Sequence, residues 1–458
     1  MFTHKKYCLL LILFSSFINA QDVYSAYGMG DMLLSNNASV IGTGSVGLMP
    51  NFQRNISLSN PSTWTNMPFA YVSINYGGLQ IEDKLNDHDN ILSGLHQFQF
   101  IVPIKGKYAF GIGFQPYSSQ LYSLKSDNFE IKYIQQDTLN FNRRLNGGGG
   151  ISDLSFSLSA RITDKEKGAL KFNYLFGSSR KQSGYSFDEG GNGLDDDFDG
   201  VIDEEGENSI NYIYNQRNIY DGTLINGYLT SDRINIGKRN LTVSVSFNST
   251  LNSFRIKNYS FYPFEDINNN GYYDINDFPQ PAGNDSIPPN PLKSEYKDSF
   301  KPSQYSIGFN LELTELLNLQ AELSDWSDLA ISKNNILSNM NYQLADYRHV
   351  NVSVIRFART LPRYWHESLH FRSGIFLRDY SLKKYVSNID SFINYDYNDI
   401  GLSIGLGIKF GLTKNQLDFG LNLINRSDSI NNDRLISNFN IGLTIGDIWF
   451  VKRRAKKQ

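Results

Sequence analysis

Apolar and polar residues alternate along much of this chain. In 402–410, Leu402, Ile404, Leu406, Ile408 and Phe410 alternate with Ser403, Gly405, Gly407 and Lys409. In 438–445, Phe439, Ile441, Leu443 and Ile445 alternate with Asn438, Asn440, Gly442 and Thr444. Residues 305–313 place Tyr305, Ile307, Phe309, Leu311 and Leu313 against Ser306, Gly308, Asn310 and Glu312, and 108–114, 154–162, 241–247 and 417–423 follow the same rule. A period of two gives a strand one apolar and one polar face. A soluble sandwich produces that alternation too, but here the polar face is rich in Gly, Ser and Asn, which suits a crowded or watery lumen.

The connections separate the two architectures. The pattern predicts strands near 69–78, 95–104, 107–117, 150–162, 168–178, 217–232, 237–255, 303–313, 316–326, 347–358, 366–381, 400–411, 416–425 and 435–450. Short connections fall at 105–106, 163–167, 234–236, 314–315, 359–365 and 412–415, and long ones near 79–94, 118–149, 179–216, 256–302, 327–346, 382–399 and 426–434. They alternate, as periplasmic turns and outer loops do in an outer-membrane barrel. An even count also puts both chain ends in the periplasm. The expected fold is therefore all-β: an antiparallel transmembrane β-barrel of about fourteen strands, localised to the bacterial outer membrane.

Composition agrees. Of 458 residues 14% are aromatic and 37 are Gly, material for interfacial girdles and a crowded lumen. Past the N-terminus no run of about 18 apolar residues occurs, so a membrane-bound chain must cross as strands, and in lipid those must close into a barrel. A net charge of −3, with scattered basic residues, offers nothing to nucleic acid.

Lys5 and Lys6, the apolar run 7–17 and the small residue Ala20 predict a signal peptide over 1–20, against the alternatives of a buried strand or an anchor. The single cysteine, Cys8, lies inside it, so the mature chain has no thiol chemistry. Residues 21–68 lack a clean period and read as a periplasmic segment or lumen plug, against the alternative of a flexible leader. The barrel is expected over 69–450. Trp449 and Phe450 would sit at the inner interface, before a basic periplasmic tail, 451–458.

Tyr24-Ser25-Ala26-Tyr27-Gly28-Met29-Gly30-Asp31, the glycines Gly42, Gly44 and Gly47, and Asn60-Pro61-Ser62 resemble the start of FadL-type outer-membrane transporters and their poorly characterised relatives. The stretches 111–118 and 446–453 also resemble that group. The resemblance implies fourteen strands and an N-terminal hatch that admits hydrophobic small molecules. The chain departs from the transporter pattern at Asn60-Pro61-Ser62-Thr63-Trp64, where the usual motif continues Ala-Gly-Leu.

Two long connections carry candidate calcium loops. Asp266, Asn268, Asn270, Gly271, Tyr272, Asp274 and Asp277 occupy positions 1, 3, 5, 6, 7, 9 and 12 of a calcium loop. Alternating oxygens converge on a hard cation and Gly permits the turn, although Asp277 replaces the usual bidentate Glu. Asp195, Asp197, Asp199, Gly200 and Asp203 form a second loop, beside Glu204 and Glu205, with Gly206 where a carboxylate is expected. The alternative is a solvated acidic turn. Bound calcium would be structural, stiffening the loops.

His366-Glu367-Ser368-Leu369-His370 matches the zinc-protease signature, which requires a helix. Strand alternation follows directly, and on a strand positions four apart are separated by roughly 13 Å. Two polar, lumen-side residues near a strand start are the expectation, and no enzyme. The sequence thus leaves two functions open: passive uptake of a hydrophobic or amphipathic small molecule, or a non-transporting anchor or assembly barrel that binds protein at its outer loops or plug.

Overall fold

The computed structural model describes residues 24–33, 37–83, 88–125, 130–134, 137–188, 209–261, 263–266, 278–279, 291–335, 342–359, 362–411, 415–428 and 434–447. Fourteen wall strands run in chain order: β1 Ala70–Asp83, β2 His88–Ile104, β3 Tyr108–Ser119, β4 Asp137–Arg161, β5 Glu166–Asp188, β6 Ser209–Ile236 and β7 Arg239–Ser260, then β8 Pro302–Glu312, β9 Leu317–Asp328, β10 Gln343–Arg356, β11 Leu369–Val386, β12 Ser391–Phe410, β13 Asn415–Asp428 and β14 Arg434–Asp447. Each pairs antiparallel with the next. The ring closes where β14 pairs with β1, from Ala70 opposite Asp447 to Asp83 opposite Arg434. No sheet edge is left for lipid to meet, which is what a hydrocarbon solvent demands.

The two faces are inverted relative to a soluble protein. On β4, Leu154, Phe156 and Leu158 are 44%, 43% and 51% exposed, while Ser155, Ser157 and Ser159 between them are buried. On β12, Leu402 and Ile404 face out and Ser403 faces in. An apolar belt of this kind on all sides is stable only against hydrocarbon. No helix among the described residues is long and apolar enough to cross a membrane, so the strands do the crossing.

The wall strands reach beyond the expected segments on the outer side. β4, β5, β6 and β7 contain 25, 23, 28 and 22 residues, so 137–149, 179–188 and 209–216 are strand rather than loop. The connection expected over 382–399 shrinks to a turn at 387–390, because β11 and β12 pair out to Val386 and Ser391. Similarly, β1 continues to Asp83 and β2 starts at His88. Above the membrane both faces of a strand meet water, so its alternation disappears although its backbone pairing does not.

One register shift matters for the lumen. Between Pro116 and Ser118 the β3–β4 ladder slips, opposite Ile151 and Ser152 and next to Gly149 and Gly150, which have φ of +100° and +155°. A Cβ on Gly150 would lie 2.2 Å from the Ser118 carbonyl oxygen. The bulge coincides with the end of β3 that takes up a further partner, the two-residue strand Asp31–Met32.

Candidate functional site in the lumen

Residues 24–33 and 37–66 line the lumen from its outer end to its periplasmic mouth. Asp31–Met32 pairs with the outer end of β3, and at the other extreme the Arg161 guanidinium donates to Asn66 at the inner end of β4. A four-residue helix, Ala38–Ile41, starts at Asn37, whose side chain accepts the Ser39 N–H. That helix lies on a flat patch of wall made by Gly405, Gly420 and Gly442 on three adjacent strands. A Cβ on Gly420 would come within 2.4 Å of the Ala38 carbonyl oxygen, and one on Gly442 within 2.3 Å of Asn75 Oδ1. The Asn60-Pro61-Ser62 motif opens a 3₁₀ turn, Pro61–Asn66, with Asn60 as its cap and Ser159 donating to the Pro61 carbonyl at 2.6 Å.

Between these elements the wall reaches in to grip the backbone of 43–52. Glu322 on β9 accepts the N–H groups of Val46, Gly47, Leu48 and Met49 at 2.9, 3.1, 3.4 and 2.7 Å. Asn351 donates to the Thr43 carbonyl, His349 Nε2 meets the Gly44 carbonyl at 2.9 Å, and Gln320 donates to the Pro50 carbonyl. Arg372 is fully buried; its Nε donates to the Asn51 carbonyl at 2.8 Å and its Nη1 to Asp418 at 2.7 Å. Gln416 completes the set on the Phe52 carbonyl. A buried arginine next to a carboxylate is costly to desolvate, and here the plug backbone supplies the extra acceptor that makes it tolerable.

Among the described residues, two cavities border the plug. The outer one, about 110 Å³, lies between Met29 of the plug, Trp326 and the pair Arg378 and Arg426. Arg426 forms a forked pair with Asp399 at 2.8 and 3.1 Å and sits over the Tyr397 ring, which stacks on Tyr380. The other, about 160 Å³, is lined by amides and by the buried cluster of Asp153, Asn173 and Lys171.

Sequence reasoning missed the gripping residues. Glu322, Arg372 and Asp418 occupy lumen positions in strands it had identified, and a charge at such a position among Ser, Gly and Asn neighbours was the available signal. Of the nine calcium-loop residues, only Asp266 is described, and it is buried. Asp195, Asp197, Asp199, Asp203, Asn268, Asn270, Asp274 and Asp277 lie outside the described residues, as do the signal peptide, Trp449, Phe450 and the basic tail. Parts of the two segments expected as loops, 179–188, 209–216, 256–260 and 292–297, are strand.

The histidine motif does not lie on one strand. Trp365–Ser368 is a 3₁₀ turn and β11 starts at Leu369, so the motif straddles two elements. His366 is exposed rather than lumen-facing, whereas His370 is buried in the lumen and accepts the Ala358 N–H through Nδ1. Glu367 accepts the Arg363 N–H at 2.7 Å, which holds its carboxyl below the usual carboxylate range, and it pairs with Arg359. It is the brace of a turn. No group of three or more His, Cys, Asp or Glu suited to a metal exists among the described residues. The connection expected at 359–365 is also longer, spanning 357–368.

A closed fourteen-stranded barrel with this plug can be compared with known proteins. A family model described as BamG matches residues 2–456. The chain belongs to the BamG family. Comparison with curated proteins finds no match. Among solved structures, a Pseudomonas aeruginosa FadL homologue shares the fold with a TM-score of 0.50 and 12% identity, over 91% of this chain and 98% of that one. The CymD monoaromatic hydrocarbon channel matches with a TM-score of 0.48 and 11% identity, over 92% and 100% of the chains. The Pseudomonas putida toluene transporter TodX matches with a TM-score of 0.45 and 11% identity, over 95% and 99%. This BamG-family chain is thus a bacterial outer-membrane β-barrel with a FadL-like fold.

Proposed function

We propose that this BamG-family barrel is a non-transporting outer-membrane scaffold with an assembly-related role, whose outer strands and loops engage other proteins. The observation that carries the reading is the grip on residues 43–52. Wall side chains from β9 to β13 bond their backbone at seven consecutive residues from Val46 to Phe52, with Thr43 and Gly44 held as well. A gate that opens for each solute would have to break this set each time. The family designation points the same way. Calcium in the 195–205 and 266–277 loops would stiffen the outer rim against such partners.

The test is reconstitution of the mature chain in planar bilayers and liposomes, with and without calcium. We expect stable insertion, no steady conductance and no uptake of a labelled hydrophobic solute, together with crosslinks from the outer rim to other outer-membrane proteins in native membranes. Saturable uptake that is lost on altering 43–52 would return the transporter reading, for which the apolar-and-arginine outer cavity is the supporting observation.

A further inference from the structure

The outer extensions of β5, β6 and β7 carry a feature that neither plugging nor scaffolding uses. On β5 the outward residues are Leu170, Phe172, Tyr174 and Phe176, with Phe172 and Tyr174 43% and 45% exposed and Tyr174 stacked on Phe176 at 5.4 Å. This is an aromatic girdle at the top of the apolar belt. Two outward positions further comes Arg180, exposed, with Ser179 beside it buried on the inner face. Arg180 is the direct partner of Arg217 on β6, Arg217 of Tyr259 on β7, and Tyr259 of Lys293 on the short strand Leu292–Lys297. Arg180, Arg217, Tyr259 and Lys293 therefore form one outward row across four strands, with the Lys293 ammonium 5.9 Å from the Tyr259 ring. Lys257 stands diagonally below Arg217 on the same face.

Height follows from strand geometry. Four residues at about 3.3 Å each, tilted by about 40°, lift the row roughly 10 Å above Phe176. Headgroups occupy about 5–8 Å beyond the hydrocarbon on each side. The backbone of the row therefore stands just above that layer, close enough for its long Arg and Lys side chains to reach down to the charged headgroups.

Among the described residues its charge is not spent in ion pairs. Two guanidinium groups directly opposite each other on adjacent strands repel. Two described acids on the same strands, Asp221 and Glu295, pair with Arg255, at 3.1 and 4.0 Å. Neither Arg180 nor Arg217 forms an ion pair among the described residues. A phosphate between the two would accept from both forks and turn the repulsion into attraction. A polyhydroxylated headgroup would add contacts to Tyr259.

We propose that the outward row Arg180, Arg217, Tyr259 and Lys293 binds the phosphate-bearing sugar headgroup of an outer-leaflet glycolipid. The aromatic girdle below receives the acyl chains and the row holds the phosphates, so one lipid class seats along the β5–β7 side of the barrel.

The experiment measures binding of fluorescent bisphosphorylated lipid A to the refolded full-length mature barrel in mixed micelles, with its fully dephosphorylated form as control. Folding is checked by resistance to unfolding in SDS without heating. Wild type is expected to bind the phosphorylated form at least about tenfold more tightly than the dephosphorylated one, as loss of charge-assisted hydrogen bonds predicts. R180E/R217E is expected to lose that preference and R180K/R217K to keep part of it. If the charge reversal does not fold, R180Q/R217Q and the two lipids on wild type still decide. Equal affinity for both lipids overturns the proposal. So does phosphate preference unchanged in R180E/R217E, or an absence of binding by wild type, the result expected if the nine acidic residues between 189 and 208 neutralise the row themselves. Loss in the variant of binding to polyglutamate, with lipid A binding intact, would also overturn it and assign the row to an acidic protein segment.

Discussion

Replacing Glu322 by alanine tests the grip on the plug directly. The carboxylate takes four backbone N–H groups, and only Gly47 has another acceptor, Ser45 Oγ at 3.2 Å. E322A therefore orphans the N–H groups of Val46, Leu48 and Met49. Each unsatisfied buried donor costs about 1–3 kcal/mol, and water entering the vacated volume brings the total toward the lower end, about 3 kcal/mol. The barrel ladder is untouched, so the loss falls on the attachment of the plug rather than on the wall. Amide hydrogen exchange in detergent reads this locally, because exchange of a protected amide follows the free energy of local opening. At about 1.4 kcal/mol per factor of ten, amides 46–49 should exchange roughly a hundredfold faster in E322A, while β1, β2 and β14 stay protected. E322Q keeps one carbonyl acceptor and should fall between. Exchange at 46–49 within threefold of wild type in E322A would refute the reasoning and make the four short contacts incidental to plug attachment.

Further outcomes follow from other contacts. R372M leaves Asp418 buried without its cation, and should cost about 3–5 kcal/mol, seen as a lower temperature for conversion to the heat-unfolded form in SDS; R372M/D418L should recover much of it. A Cβ on Gly374 would stand 2.1 Å from the Thr43 carbonyl oxygen, so G374A should displace the plug and expose 43–52 to protease while the barrel remains folded. Removing Glu367 by E367A should loosen the 357–368 turn, detected as new cleavage next to Arg359 or Arg363 in the periplasm, without loss of any activity a zinc site would confer. If Asp266, Asn268, Asn270, Asp274 and Asp277 hold calcium, millimolar calcium should protect the 256–302 connection from proteolysis, and D274N with D277N should abolish that protection; protection unaffected by the double variant would remove the assignment.

The membrane-crossing part of the wall was legible because lipid and lumen impose opposite chemistry on alternate residues. Leu154, Phe156 and Leu158 against Ser155, Ser157 and Ser159 is the pattern in its clearest form. The outer extensions were illegible for the same reason reversed. Around Tyr214, Asn215 and Gln216 successive residues of β6 are all partly exposed, so no periodicity distinguishes strand from loop and only pairing with β5 and β7 does. Within the lumen, Gly42, Gly44 and Gly47 marked the plug, but its anchors could not be read, since Glu322 and Met49 are 273 positions apart. The His366–His370 motif shows the limit of a local match: one turn of chain puts the first histidine in water and the second in the lumen.

The seam between β1 and β14 imposes an order on biogenesis. The plug precedes the first strand, yet the side chains that grip its stretch 43–52 come from β9 to β13, and the ring is completed only when the last strand meets the first across more than 350 residues. Until then the nascent sheet has two open edges, and both attract foreign strands. The stretch 43–52 must therefore wait, ungripped, through most of the chain's folding, and be inside the cylinder before the seam zips, because afterwards the closed wall admits it only by threading. A cell that makes this protein has to shield both edges and a waiting leader at once, a demand of timing rather than of stability.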